Sequence, residues 1–188
     1  LPTTNGEALG VIQTVNSTFE NVSSQEASGI DLSTNYNVDM NDMGLLKFNL
    51  EWSYMYEFTR DDREYIGEYE YPRHRGLFAT NWELDNFNVN MNISYTGSFE
   101  DTPDINFDGA LDFDTEKSRD VDAQTLVDIQ GAYNVNDAVR ISVGMNNVFD
   151  EDPPFAIGDG DSDLYGYAGS VHNPRGRYIY TNLTWRFN

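Results

Sequence analysis

No cysteine occurs among the 188 residues, so no disulfide can stabilise the fold. This absence is neutral about the cellular compartment. Histidine is nearly as rare, with two residues, and no arrangement of nucleophile and base for catalysis is recognisable. We therefore do not expect the chain to be an enzyme.

Long apolar runs are also missing. The mean hydropathy is -0.59, and no window approaches the roughly 18 apolar residues of a membrane helix. The first residues lack the basic and apolar regions of a secretory signal, which indicates either a cleaved signal or an internal piece. A hydropathy scan alone would suggest a water-soluble protein. A membrane β-barrel escapes such a scan, because its strands hide their apolar face in alternation.

Basic residues are scarce, with 11 Lys and Arg against 32 Asp and Glu, so the net charge is -21. Nucleic acid is a poor partner for such a surface, because phosphate binding requires Lys and Arg to displace counterions. Much of the acid falls in residues 61–70, 100–122 and 150–163, which we expect to be loops. The simplest interpretation of these runs is a solvated surface.

What the sequence does contain is alternation of apolar and polar side chains. In residues 178–187, Ile179, Leu183 and Trp185 would share one face, because successive strand side chains point to opposite sides. Residues 87–96 repeat the pattern, with only Asn, Ser and Thr on the polar face. Strands of about ten residues with these two faces are typical of membrane barrels, whose apolar face meets lipid and whose polar face meets a wet lumen.

The alternation and the turn residues predict about eight strands. They span residues 10–21, 27–38, 44–58, 75–82, 87–97, 122–133, 139–148 and 177–187. Short connections rich in Asn and Asp alternate with long ones. The short connections are residues 39–43, 83–86 and 134–138, and the long ones are residues 59–74, 98–121 and 149–176. Short turns on one rim and long loops on the other indicate an outer-membrane barrel with its short turns in the periplasm.

The same period predicts where side chains point. The lipid-facing set is Leu46, Phe48, Leu50, Phe78, Thr80, Trp82, Val89, Met91 and Ile93, and the inward set is Lys47, Asn88, Asn90 and Asn92. The opposite register would place carboxylates such as Asp128 in lipid, which is costly. Aromatic rings prefer the membrane interface, so Trp82, Tyr133, Trp185 and Phe187 are expected near the lower one.

Three segments resemble motifs of the TonB-dependent outer-membrane receptors. Residues 146–155 read Asn-Asn-Val-Phe-Asp-Glu-Asp-Pro-Pro-Phe, residues 173–178 lead into a last strand ending Trp-Arg-Phe, and residues 28–31 read Ser-Gly-Ile-Asp. The segments occur in the family's order and spacing and cover essentially the whole chain. One departure is Asn188, which follows the aromatic residue that usually ends such chains.

This resemblance implies an all-β fold, a transmembrane antiparallel barrel of about 22 strands. Residues 1–188 would be its carboxyl-terminal segment, about eight strands, without the plug domain. It further implies a bacterial outer-membrane receptor for energised uptake of a scarce solute such as a siderophore, cobalamin or a saccharide. The implied partners are outer-membrane lipid, the rest of the barrel and plug, a TonB-type periplasmic energy transducer and a small-molecule ligand.

Length alone leaves a second fold open. About eight strands could close by themselves into a small barrel filled by side chains, with a structural or adhesion role. In that case residues 10–21 and 177–187 would pair directly. The many small polar residues predicted inside favour a wider, wet or plugged lumen instead.

One acidic loop matches the first half of the calcium-loop pattern D-x-[DN]-x-[DN]-G, in which oxygens at alternate positions wrap the ion. The candidate ligands are Asp104, Asn106, Asp108 and Asp112. Thr115 stands where the usual Glu would complete the loop, so a solvated loop without Ca²⁺ is the alternative.

The last long loop supplies the candidate substrate contacts Tyr165, Tyr167, His172 and Arg175. Aromatic surfaces with a few polar groups suit sugars and chelates. The same residues could equally serve loop packing or the interfacial belt.

Overall fold

The computed structural model describes residues 3–4, 7–8, 24–101, 119–157 and 166–187. Strands dominate these residues, and the helical structure within them is the single 3₁₀ turn Asn41–Met43. In this described part, no helix is long and apolar enough to span a membrane. The predicted strand at residues 10–21 lies outside the described residues.

Seven long strands form the sheet. They are β1 Gln25–Asp39, β2 Leu45–Arg60, β3 His74–Leu84, β4 Phe87–Thr96, β5 Gln124–Asn134, β6 Val139–Asn146 and β7 Tyr178–Trp185. Three pairings involve strands of two residues. Thr3–Thr4 pairs with Glu7–Ala8, Arg63–Glu64 pairs with the end of β2, and Phe99–Glu100 pairs with Asp120–Val121. The long strands match the predicted ones within a few residues.

Each long strand pairs antiparallel with its neighbours in the chain, giving the order β7-β6-β5-β4-β3-β2-β1. This is an up-and-down meander, the topology of membrane barrels. Among the described residues, β1 pairs only with β2 and β7 only with β6, so the sheet is open. Direct pairing of residues 10–21 with β7 falls outside the described residues.

The registers place most of the large apolar side chains of the seven strands on one face, which we call the apolar face, while Leu77 and Leu126 lie on the opposite side. One continuous row across the sheet runs Tyr36, Phe48, Thr80, Met91, Ile129 and Met145, ending at Ile179. Paired residues share a face, so the predicted facing is confirmed for every residue of the lipid-facing set. Lys47, Asn88, Asn90 and Asn92 lie on the opposite side, the polar face.

The apolar face has no second layer over it in the described structure. Tyr36 is 67% exposed and Leu183 is 63% exposed, although both belong to this face. An apolar surface that crosses seven strands is far larger than a soluble monomer leaves in water. It therefore requires an apolar solvent, and lipid supplies one.

Aromatic rings gather at both ends of the apolar face. Near the short turns, Phe87 packs on Tyr133 with centroids 4.7 Å apart, and Trp185 stacks on Phe187 at 4.7 Å. Trp82 lies at the same end, where its Nε1 donates to the Met43 carbonyl at 2.8 Å. At the other end the belt comprises Trp52, Tyr54, His74 and Tyr95. The rows of Trp82 and Trp52 lie about 20 Å apart along the strands, close to the height of a membrane barrel's apolar band.

The short connections all lie at one end of the sheet. Gly44 ends the first with φ +87°, and a Cβ at Gly44 would come within 2.1 Å of the Glu83 carbonyl, so only glycine fits. Residues 85–86 form the second, with Asp85 at φ +48°, and residues 135–138 the third. The long connections lie at the opposite end, as predicted.

The buried core lies among the long connections rather than beneath the sheet. Its buried members are Phe99, Val121, Ala156 and Ala168. A sheet one layer thick leaves both its faces largely open, so the buried hydrophobic cluster forms where the described loop segments fold on one another. The described parts of the long connections therefore form an ordered structure at this end of the strands.

Candidate functional site

The long connections gather into what we call the loop cluster, residues 65–72, 97–101, 119–123, 147–157 and 166–177. Its last segment lies against the polar face. The Gln124 side chain donates to the Asn173 carbonyl at 3.1 Å and accepts from the Asn173 amide at 3.0 Å. Thr96 Oγ1 lies 3.5 Å from the Val171 carbonyl. Residues 171–173 therefore lie against the loop end of the polar face.

Asn147 holds two parts of the loop cluster together. Its Nδ2 donates to the carbonyls of Glu151, at 2.9 Å, and Arg175, at 3.1 Å, while its Oδ1 accepts from the Glu151 amide at 2.9 Å. The residue is only 3% exposed. Its φ of +49° ends strand β6, and Asn tolerates this conformation better than most residues. The motif segments 146–155 and 173–178 thus meet at the buried side-chain amide of Asn147.

Asp150 makes a second junction between the same segments. Its Oδ1 accepts from the Arg177 amide at 2.7 Å, and its Oδ2 lies 3.6 Å from the Arg177 guanidinium. The guanidinium also donates to the Val148 carbonyl at 3.2 Å. A Cβ at Gly176 would lie 3.2 Å from Asp150 Oδ1, so a small residue suits this position. These contacts fix the start of β7 against the end of β6.

Phe99 is the centre of the buried core. His172 stacks on it with centroids 5.5 Å apart, and Tyr69 meets it edge-on at 6.0 Å. His172 is 4% exposed, and neither its ring nitrogens nor Tyr69 Oη has a hydrogen-bond partner within the described structure. Burial, and to a smaller extent the Arg75 charge, lower the pKa of His172. The imidazole is therefore held neutral.

Asp101 joins separate segments of the loop cluster. It is 1% exposed, and its Oδ2 accepts from the Ile157 amide at 2.9 Å and from the Arg119 guanidinium at 3.2 Å. The guanidinium also donates to the Phe155 carbonyl at 3.0 Å and lies over the Phe155 ring. This clamp joins residues 99–101 and 119–121 to residues 155–157.

Glu64 orders the first long connection. Its Oε1 accepts from the amides of Phe58, Tyr65 and Ile66 at 2.8 to 3.1 Å. Although desolvation works in the opposite direction, these backbone hydrogen bonds lower the pKa of Glu64.

A cavity of about 340 Å³ opens beside the loop cluster, at the loop end of the polar face. Arg75 and Ser53 line it from the sheet, and Tyr71 and Glu70 line it from the loop. In the described part of the chain, the Arg75 guanidinium has no hydrogen-bond acceptor or carboxylate partner. It can therefore donate to a carbonyl, hydroxyl or anionic group of a solute.

The four predicted substrate contacts differ in where the structure places them. His172 lies in the predicted loop and is buried against Phe99, which is the loop-packing alternative, and its contact with a substrate stays a prediction. Arg175 is exposed, and Tyr167 is half-buried in the same loop. Tyr165 lies outside the described residues. So do all four calcium candidates, Asp104, Asn106, Asp108 and Asp112.

The described residues contain no group of three or more His, Asp or Glu placed to hold a metal ion. Sequence reasoning missed the roles of Asn147, Asp101 and Arg119. Asn147 belongs to a recognised motif, which singled it out without giving its role. Nothing near Asp101 or Arg119 signalled a contact, because the partners lie far along the chain and no period relates them.

Comparison with known proteins agrees with this geometry. The family model described as "TonB dependent receptor-like, beta-barrel" matches residues 2–148. A search of curated proteins finds no match.

Several solved structures share the fold. The ferric enterobactin receptor PfeA of Pseudomonas aeruginosa is 18% identical with a TM-score of 0.60 over 86% of this chain. The copper transporter OprC is 18% identical with a TM-score of 0.58 over 87%, and the ferripyoverdine receptor of Pseudomonas aeruginosa is 14% identical with a TM-score of 0.57 over 86%. This chain spans 22%, 24% and 19% of those proteins, respectively, about a fifth to a quarter of each.

Proposed function

Because the chain belongs to the TonB-dependent receptor β-barrel family of the bacterial outer membrane, we propose that it forms part of the wall of a receptor that imports a scarce solute. The observation that carries this proposal is the division of seven strands into one apolar and one polar face, with an ordered loop cluster over one end. Such a wall separates lipid from a wet lumen, and the loops at its outer end are placed to contact an arriving solute.

The partners follow from the family. A plug domain would close the lumen, and a TonB-type periplasmic energy transducer would open it. The solute is a small molecule, and the fold neighbours include receptors for ferric enterobactin and ferripyoverdine and a copper transporter. A ferric siderophore, a metal ion, cobalamin and a saccharide are the classes to compare.

The cavity of about 340 Å³ beside the loop cluster supports this role. Among its lining residues, Arg75 can offer a solute a cation, Ser53 a hydroxyl group and Tyr71 an aromatic ring. Arg175 and Tyr167 lie in the loop that covers the neighbouring part of the polar face, so they stay within our proposal as contacts. His172 enters it as a residue that shapes the loop rather than as an exposed contact. Calcium binding by residues 104–112 is likewise proposed, and calorimetric titration of the complete receptor with Ca²⁺ tests it.

Uptake measurements test the proposed function. Host cells lacking the receptor, and the same cells carrying it, would be offered labelled ferric siderophore, copper, cobalamin and oligosaccharide in turn. We expect the receptor to restore accumulation of one class, and we expect a protonophore to abolish that accumulation. Equal uptake with and without the protonophore would contradict energised transport, and no effect of the receptor on any solute would contradict a role in uptake.

A further inference from the structure

Asp128 and Tyr180 border the same cavity of about 360 Å³ on the polar face. Tyr180 pairs with Gly144 of β6, and its hydroxyl accepts from Nε2 of Gln130 on β5 at 2.9 Å, so the side chain reaches across β6 over the glycine. The registers place this row one residue from the row of Trp82, at the end of the short turns. Asp128 lies two residues from Gln130 along β5, toward the loops.

Asp128 has no cation beside it on this wall. One of its carboxylate oxygens accepts from the Asn147 amide at 2.8 Å, and the described residues offer no donor to the other oxygen. No Lys or Arg lines the cavity within the described part of the chain. Glu83, another carboxylate of the polar face, differs in this respect, because Lys47 Nζ lies 2.8 Å from it. The described strands thus leave the charge of Asp128 unbalanced.

The position of Asp128 in the wall indicates what balances its charge. The proposed receptor closes its lumen with a plug domain, and this chain spans 22% of PfeA, so most of a receptor of that size lies outside these residues. A plug that fills the lumen covers the part of the polar face near the short turns. Contact with the plug removes bulk water from Asp128, and an ionised carboxylate out of water is costly unless a cation faces it.

We propose that Asp128 and Tyr180 form a plug-docking site that receives one basic side chain of the plug domain. A guanidinium or ammonium group at this point would donate to the free Asp128 oxygen and lie against the Tyr180 ring. The side-chain carbonyls of Asn92 and Asn146 have no hydrogen-bond partner within the described ranges and can accept the remaining N–H groups. The inference rests on the proposed function and names the charge that the plug presents to this wall.

Photo-crosslinking in the complete receptor identifies what faces the plug-docking site. The photoreactive residue p-benzoylphenylalanine would replace Asn92, whose side chain borders the cavity, and mass spectrometry would locate the crosslink. We expect it to join a plug segment with a Lys or Arg within about three residues of the attachment point. The same probe in place of Met91, on the apolar face, should not join the plug. A crosslink from position 92 to no plug segment, or to one without a nearby basic residue, would overturn the inference.

Hydrogen exchange measures what the contact contributes. Asp128→Asn keeps an acceptor for the Asn147 amide and removes the charge, so the crosslinked plug segment should exchange about ten- to 100-fold faster. Tyr180→Leu should accelerate the same exchange about threefold or more, whereas Tyr180→Phe retains the ring and should change it by less than about twofold. Tyr36→Ala removes a tyrosine that is 67% exposed on the apolar face and should have no effect. Unchanged exchange in β3 and β4 would show that the barrel stays folded.

A purely structural role of Asp128 predicts a different result. Its bond to the Asn147 amide would then be its whole contribution, so Asp128→Asn would change exchange near residue 147 and leave the plug unchanged. That outcome would overturn the inference. Exchanging the two charges gives a reciprocal test. Asp128→Lys should loosen the plug segment, and an Asp in place of the identified basic residue should restore slow exchange in the double variant; failure to restore it would also overturn the inference.

Failure of this inference and failure of the proposed function are distinguishable. A receptor that imports a solute with proton-motive force, but whose plug does not meet Asp128 through a basic residue, refutes the plug-docking site alone. A receptor whose plug docks at Asp128 but that imports no solute refutes the uptake function alone.

Discussion

Replacing Asn147 with alanine should loosen the loop cluster while leaving the sheet intact. The substitution removes three hydrogen bonds made by a side chain that is only 3% exposed. A buried group left without its partner costs about 1 to 3 kcal/mol, and water can reach the exposed Glu151 and Arg175 in part. We therefore expect a local loss of about 2 to 3 kcal/mol rather than the sum of three full penalties.

Hydrogen exchange measures this local loss directly. Amides in residues 149–153 and 173–177 should exchange about 30- to 150-fold faster in Asn147→Ala receptor, because about 1.4 kcal/mol corresponds to a factor of ten. Exchange in strands β3 and β4 should not change, because the three hydrogen bonds of the Asn147 side chain all lie within the loop cluster.

Asn182→Ala is the matched control. Asn182 is an exposed residue of the polar face on β7, and its side chain has no hydrogen bond within the described ranges. Exchange should be unaffected in that variant. If both variants exchanged like the wild type, Asn147 would not join residues 149–153 to residues 173–177, and the junction between these two segments would be refuted.

Three other changes give further checks. The pKa of His172 is lowered in the folded protein, so protonation below about pH 6.5, the ordinary pKa of histidine, favours a state in which residues 166–175 are unfolded. Proteolysis of these residues should therefore accelerate as the pH falls. His172→Phe should remove this pH dependence, and a wild-type rate independent of pH would contradict the prediction. Asp101→Ala leaves the Ile157 amide without its acceptor, so that amide should exchange at least about tenfold faster, and unchanged exchange would show that the clamp is not formed. Glu83→Gln removes the ion pair in which Lys47 Nζ lies 2.8 Å from a Glu83 carboxylate oxygen. Both side chains are about 40% exposed, so the free energy of unfolding should fall by less than about 1 kcal/mol. A larger loss would mean that the pair is shielded from water.

The sheet could be predicted from the sequence because its information is local. A period of two placed Phe78, Thr80 and Trp82 on the apolar face without knowledge of their neighbours, and the registers confirm it. The predicted end of β6 was two residues too late, at Val148 instead of Asn146. The apolar pattern continues through Val148, but the positive φ of Asn147 ends the strand.

The loop cluster could not be predicted, because its contacts join distant parts of the chain. Thr96 and Val171 are 75 residues apart, and Asp101 and Ile157 are 56 apart. No periodicity relates such pairs, and each partner resembles any other polar or apolar loop residue. The position of the Tyr180 ring over Gly144 of the neighbouring strand was equally hidden, because it depends on the absence of a side chain at Gly144.

In the complete receptor, the apolar face should meet lipid and the polar face should meet the lumen, and site-directed spin labelling tests this division most directly. These 188 residues contain no cysteine, so single cysteines introduced and spin-labelled at positions 88 to 93 of β4 meet no competing label within this part of the receptor. In bilayers, labels at 89, 91 and 93 should be relaxed by oxygen, which concentrates in lipid, and labels at 88, 90 and 92 should show little oxygen relaxation. A water-soluble nickel chelate should not reach positions 89, 91 and 93. The reverse pattern, or equal accessibility along the strand, would contradict the assignment of the two faces.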